Sequence, residues 1–170
     1  MKRTLLTLLT LGFIATASYA QTVVNGCIVR MKEAYSPDSL KFKDETLKIA
    51  FYPTEHFWKT YIYNTSNEQL TINWEKSTFT LNGHSSRILT NMGQEEMEIT
   101  GGGKISYDVF PRTLSEAGML PTISKRFVKK DYEETGKPHT VRITLAFKIN
   151  GEDKMYDFNF EMIPKPKKAN

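Results

Sequence analysis

The chain holds a thin stock of side chains for catalysis: three histidines, one cysteine and nineteen acidic residues in 170 positions. The histidines, His56, His84 and His139, are far apart, and none stands in a His-Glu-x-x-His or other short metal-ligand spacing. Glu55 and His56 are neighbours, so on a strand they point to opposite faces and cannot ligate one ion together. Gly101-Gly102-Gly103-Lys104 has the texture of a phosphate loop. That loop would need glycine where Glu98 stands and a hydroxyl residue where Ile105 stands, so the stretch reads as a turn between strands. Cys27 has no base close by in sequence, and no Gly-x-Ser-x-Gly elbow occurs. The acidic cluster Glu95, Glu96 and Glu98 lacks the alternating Asp/Asn and glycine of a calcium loop and reads as a solvated strand face. The expectation is a protein that is not an enzyme, with no catalytic residue, no metal ligand and no cofactor.

Recognition is the chemistry that the side chains favour instead. Along residues 57–64, if Trp58 and Ile62 face a core, then Phe57, Tyr61 and Tyr63 share the opposite face with Lys59. Aromatic rings beside a cation on an outer face form a stacking platform for a sugar or an interface for a protein. The competing expectation is a central strand, covered on both sides by the second layer and by the segment from Ile28 to Tyr52. Two short modification patterns also stand out. Asn64-Thr65-Ser66 fits an N-glycosylation sequon, and Asp38-Ser39-Leu40 an O-glycosylation pattern of bacterial envelope proteins.

The elements that must position these residues are strands. Val141, Ile143, Leu145, Phe147 and Ile149 alternate with polar positions, Asn150-Gly151 supplies a tight turn, and Tyr156, Phe158, Phe160 and Met162 form the returning face. Shorter alternations recur at Leu47–Phe51, Trp58–Ile62, Leu70–Trp74, Phe79–Leu81 and Ile105–Val109, bounded by turn residues such as Asn82-Gly83. The expected fold is all-β, an immunoglobulin-like antiparallel β-sandwich of about seven to nine strands. At most one short helical turn is expected, from the capping-box pattern Thr113-Leu114-Ser115-Glu116 with Gly118 behind it. Ser124–Pro138 reads as a long exposed connection, and residues 164–170, with three lysines and two prolines, as a disordered basic tail.

The N-terminus addresses the chain for export. Lys2 and Arg3 precede an apolar run from Leu5 to Ala17, and Ser18-Tyr19-Ala20 is a signal-peptidase site, so cleavage is expected between Ala20 and Gln21. Residues 1–20 are then a signal peptide and residues 21–163 a single β-sandwich domain. The destination is periplasmic or extracellular. The leader holds two of the 23 basic residues and none of the 19 acids, so the remainder stands at +2 rather than +4, too near neutral for a nucleic-acid partner. No later apolar run is long enough to span a membrane. A second reading makes Val24-Asn25-Gly26-Cys27 a lipobox, with Cys27 lipidated and the protein anchored at the outer membrane. Asn25 and the polar Gln21 and Thr22 fit that poorly, and a small residue in a first strand fits better.

The run Asn64-Thr65-Ser66, Leu70-Thr71-Ile72-Asn73-Trp74, Phe79, Gly83 and Ser86-Arg87-Ile88 resembles a pattern in uncharacterised secreted proteins and lipoproteins of bacteria. The spacing of Gly83-His84-Ser85-Ser86-Arg87 departs slightly from that pattern, and the similarity extends to Lys104 and Pro111. The resemblance implies an immunoglobulin-like sandwich in the bacterial envelope and carries no site residues. The expected function is a non-catalytic binding or scaffolding module whose partner is a protein or glycan of the envelope. The alternative is a carbohydrate-associated protein, either a hydrolase accessory or a weak glycoside hydrolase with two converging carboxylates.

Overall fold

A computed structural model describes residues 20–34, 39–118 and 121–166. Its strands are β1 (Ala20–Val24), β2 (Cys27–Met31), β3 (Lys41–Lys43), β4 (Leu47–Pro53), β5 (Trp58–Asn64), β6 (Leu70–Leu81), β7 (His84–Thr90), β8 (Glu96–Ile99), β9 (Lys104–Pro111), β10 (His139–Ile149) and β11 (Glu152–Pro164). The helices are α1 (Arg112–Glu116) and α2 (Lys125–Thr135). All pairings are antiparallel, in one curled sheet of order β1-β2-β11-β10-β6-β7-β9-β5-β4-β3, with β8 on the other end of β6. Strand β7 joins the halves, pairing β6 through Arg87 and β9 from Ile88 onward.

The curl brings the inner faces of the two halves together, and aromatic rings fill the space between. Phe51 lies 5.0 Å from Phe158 and 5.1 Å from Phe160, and Trp58 lies 4.6 Å from Phe160, centroid to centroid. Most of these contacts are edge-on or tilted, the arrangements that ring quadrupoles favour. Phe79, Phe147, Ile62, Ile72 and Leu145 complete a core that is almost wholly shielded from water.

Three hairpins turn on Asn-Gly pairs. Asn25-Gly26, Asn82-Gly83 and Asn150-Gly151 all have positive φ at both residues, the conformation of the two-residue turn that matches strand twist. The alternation foreseen for β10 and β11 holds, with Val141↔Phe160 and Ile143↔Phe158 in register.

Five expectations need correction. The described residues carry eleven strands rather than seven to nine, because the first Asn-Gly pair adds the hairpin β1–β2 against β11. Residues 70–81 form one strand rather than two, interrupted by a bulge where Ser77 Oγ bonds to Asn73 O and to Ala146 N–H. Ser124–Pro138 is not an exposed connection, since most of it is helix α2, packed on β11 through buried Val128. Its lysines pair with acids one turn on, Lys129 with Glu133 and Lys130 with Glu134, and Gly136 at φ 68° closes it in a left-handed cap. There are therefore two helices rather than at most one turn, and α1 starts at Arg112, which places Thr113 inside it rather than at its cap. Finally, residues 164 and 165 are not tail: β11 runs through Pro164, and Lys165 N–H donates to Gly26 O at 3.0 Å. Residues 1–19 and 167–170 lie outside the described residues. None of the described helices is long and apolar enough to cross a membrane.

Candidate functional site

The outer face of β3, β4, β5 and β9 places lysines and tyrosines on a regular grid. Register sets the rows: Lys43, Lys48, Tyr63 and Lys104 stand side by side, then Lys41, Ala50, Tyr61 and Ser106, then Tyr52, Lys59 and Asp108. The alternate positions, Leu47, Ile49, Phe51, Trp58, Ile62 and Tyr107, are buried on the inner face. Lys59, Tyr61 and Tyr63 thus face outward together. Within the segment Ile28–Tyr52, β4 does not cover them, because it pairs beside β5 and not over it. Phe57 precedes the strand, half-buried in a turn where its N–H bonds to Thr54 Oγ1 and its carbonyl to Thr54 N–H, and it does not line the concavity.

Ala50 is the small residue in the middle of this grid, and it makes the floor of a depression of about 550 Å³. Tyr52 and Tyr61 meet edge to face at 5.5 Å, while Lys104 Nζ sits 4.8 Å from the Tyr61 ring and 5.0 Å from the Tyr63 ring. Tyr52 and Tyr63 remain 49% and 42% exposed, enough to leave aromatic surface free for contact. The charge is one-sided. Among the described residues, Lys41, Lys43, Lys48 and Lys104 form no ion pair, and Asp108, 3.9 Å from Lys59 Nζ, is the lone acid in the three rows. Tyr52 and the lysines of β3, β4 and β9 escaped sequence reasoning. The signal for them was the parity of Lys41 with Lys43, of Lys48 with Ala50 and Tyr52, and of Lys104 with Ser106 and Asp108.

A second depression, of about 360 Å³, is lined by Glu96, Glu98, Lys76, Lys148 and Asp153 among others. Its carboxylates are engaged or solvated: Glu96 accepts from the Asn73 amide, and Asp153 accepts from Lys76 Nζ at 2.9 Å. The hydrogen bond and the charge of Lys76 hold Asp153 below the ordinary carboxylate range, so it stays ionised and is no general acid. Glu95, Glu96 and Glu98 are all exposed, as a solvated strand face requires.

The remaining singled-out residues serve the fold. Cys27 lies in β2 with its side chain fully buried, and burial pushes its thiol up. Asn64 is 1% exposed, so its amide is withdrawn from any glycan-adding enzyme. Its Nδ2 reaches the carbonyls of Glu68, Ile99 and Thr100, and its Oδ1 accepts from Ser66 N–H. Asp38 lies outside the described residues, and the adjoining Leu40 is buried. Gly101-Gly102-Gly103 is a turn, in which a Cβ on Gly101 would meet Asn67 O at 2.6 Å. His139 is buried against Asp131 and Asn82, while His84 is exposed on β7.

No protein-family profile matches the chain, and no curated protein matches it. Among solved structures, a protein from Archaeoglobus fulgidus is similar over 72% of this chain and 98% of its own length, at 9% identity and a TM-score of 0.34.

Proposed function

We propose that this chain is an exported, non-catalytic envelope module with an immunoglobulin-like sandwich, and that it binds its partner through the outer face of β3, β4, β5 and β9. The order of strand pairing supports the fold reading. Strands β4-β5-β9-β7 follow the A-B-E-D order of one immunoglobulin sheet and β11-β10-β6 the G-F-C order of the other, with β7 switching between them. Export rests on the basic start, apolar run and small-residue site of residues 1–20, and an envelope setting on the resemblance over residues 57–111. The buried sulfur of Cys27 favours a packing role over a lipid anchor.

The observation that carries the binding role is the unpaired cationic and aromatic grid around Ala50. Ion-paired lysines and packed tyrosines would be ordinary surface, whereas Lys59 alone of these lysines has an ion pair among the described residues, and Tyr52 and Tyr63 keep exposed area. Catalysis on the same face lacks the two carboxylates that glycoside hydrolysis needs, since Asp108 is alone there. The test is capture from envelope extract on immobilised protein, with Tyr61→Ser/Tyr63→Ser as the control bait. Equal capture by both baits would refute this face as the binding surface.

A further inference from the structure

We infer that the concavity floored by Ala50 takes an acidic polysaccharide, with Lys41, Lys48 and Lys104 meeting its carboxylates and Tyr52, Tyr61 and Tyr63 meeting its sugar rings. The inference rests on the reading of this face as the binding surface and names what it binds. Charge complementarity carries it. Lys43 and Lys48 stand directly opposite each other on neighbouring strands, and like charges in that relation repel. Lys104 adds a third cation to the same row, on the far side of Tyr63. A bound anion relieves that repulsion; among the described residues none of these three lysines forms an ion pair, although Asp44 and Glu45 line the neighbouring depression with Lys43 and Lys48.

The arrangement of the cations narrows the anion. By register Lys41, Lys48, Lys59 and Lys104 stand on four different strands, β3, β4, β5 and β9, spread over the three rows. That suits single charges spaced along a polymer, where a doubly charged phosphate would draw several donors together. The rows contain no arginine, the side chain that grips phosphates in a bidentate fork and stacks on bases, so nucleic acid fits less well. The exposed ring area of Tyr52 and Tyr63 provides apolar contact for the C–H faces of sugars, which a purely acidic peptide does not offer. The volume of about 550 Å³ lies within the range of small-ligand sites and holds a short stretch of saccharide. A second copy of this chain is disfavoured because a symmetric contact would set lysine grid against lysine grid. A bilayer is disfavoured because the surface is concave.

The test is calorimetry of the full-length chain against four probes: polygalacturonate, the same polymer fully methyl-esterified, poly-glutamate and a deoxythymidine oligonucleotide. Polygalacturonate should bind, and more weakly as salt rises. Lys48→Gln/Lys104→Gln and Tyr61→Ser/Tyr63→Ser should each weaken it by about tenfold or more, as loss of charge-assisted or stacking contacts does. Melting that falls only slightly in both variants certifies that they are folded. The esterified polymer, which keeps the rings and loses the charge, should show no measurable binding. Equal or tighter binding of poly-glutamate would replace the saccharide by an acidic protein, and tighter binding of the oligonucleotide would replace it by nucleic acid. Absence of polygalacturonate binding overturns the inference. If capture from envelope extract still depends on Tyr61 and Tyr63 in that case, the saccharide is wrong and the binding face stands; if neither is seen, both fall.

Discussion

His139 Nδ1 stands 2.9 Å from Asp131 Oδ2, joining the first residue of β10 to helix α2. The Asn82 amide nitrogen lies 2.8 Å from the same ring nitrogen, and its orientation is set because Asn82 Oδ1 accepts from Thr140 N–H at 2.8 Å. Nδ1 can accept from Asn82 when neutral or donate to Asp131 when protonated, but not both. Burial pushes the imidazole below its ordinary 6.5, outweighing the hydrogen bond and charge of Asp131, which push it up.

The pH dependence follows in sign. With the folded value depressed, the unfolded chain binds more protons once the pH drops below about 6.5, so His139 contributes stability above that pH that is lost below it. Between pH 7.5 and 5.5 the native chain should lose more stability than His139→Gln, which keeps an acceptor for Asn82 and does not titrate. Denaturant midpoints at the two pH values measure this. Parallel losses in both proteins would remove His139 as the cause.

Phe147 and Phe158 lie on β10 and β11, each 1% exposed and both against Tyr156. Replacing either with Ala should cost about 3–5 kcal/mol, since the surrounding rings cannot collapse fully into the space left. Urea unfolding gives the value. A cost below about 1 kcal/mol in both would mean that the core is looser than its edge-on aromatic contacts imply.

Much of the sheet was legible in advance because strands of this kind bury every second residue, and the hairpin at Asn150-Gly151 carries both that alternation and its turn. The first hairpin carried the same Asn-Gly signal at Asn25-Gly26, but an export site and a cysteine drew the reading of those residues elsewhere. Helix α2 was hidden by its polarity: Val128 is its buried residue, and only Phe127 and Tyr132 join it as large apolar side chains among eleven residues. The site was half legible. Parity along one strand yields Lys59, Tyr61 and Tyr63, but placing Lys48 and Lys104 beside Tyr63 requires the register between strands, which joins residues 15 and 41 positions apart in the chain.

Asn64 ties the end of β5 to the turns after it, and the kind of atom matters more there than the shape. Asn64→Ala should cost about 1–3 kcal/mol, because the carbonyls of Ile99 and Thr100 lose a donor at 2.9 and 3.1 Å. Asn64→Asp keeps the outline but turns an acceptor toward those carbonyls, so it should be the more destabilised of the two at neutral pH. Thermal melts of the pair decide, and an Asp variant as stable as wild type would show that the amide is not the donor.

The proposed export has a consequence for the first strand. Cleavage after Ala20 leaves Gln21–Val24 to pair with Cys27–Arg30, so the β1–β2 hairpin survives almost whole. Intact mass of envelope-derived protein should correspond to a chain beginning at Gln21. A chain beginning at Cys27 with added acyl mass would lack β1 and make the protein a lipoprotein.

The decisive prediction concerns Tyr61 and Tyr63. Both project from the outer face of β5, while Trp58, Thr60 and Ile62 between them and the core are fully buried. Changing the two tyrosines together to Ser removes the rings that Lys104 covers but leaves the Trp58–Phe160 contact and the inner face untouched. Capture of the partner should be lost, since tyrosine supplies contact area at little cost in rotamer entropy. Melting should fall only slightly, because exposed cation–π and edge contacts are each worth about 1 kcal/mol or less. Lys59→Gln, at the rim and 3.9 Å from Asp108, should change the salt dependence of binding more than its strength. The melt of the double variant comes first: a fall of more than about 10 °C would mean that these rings hold the fold together, and the binding face would then have to be sought elsewhere.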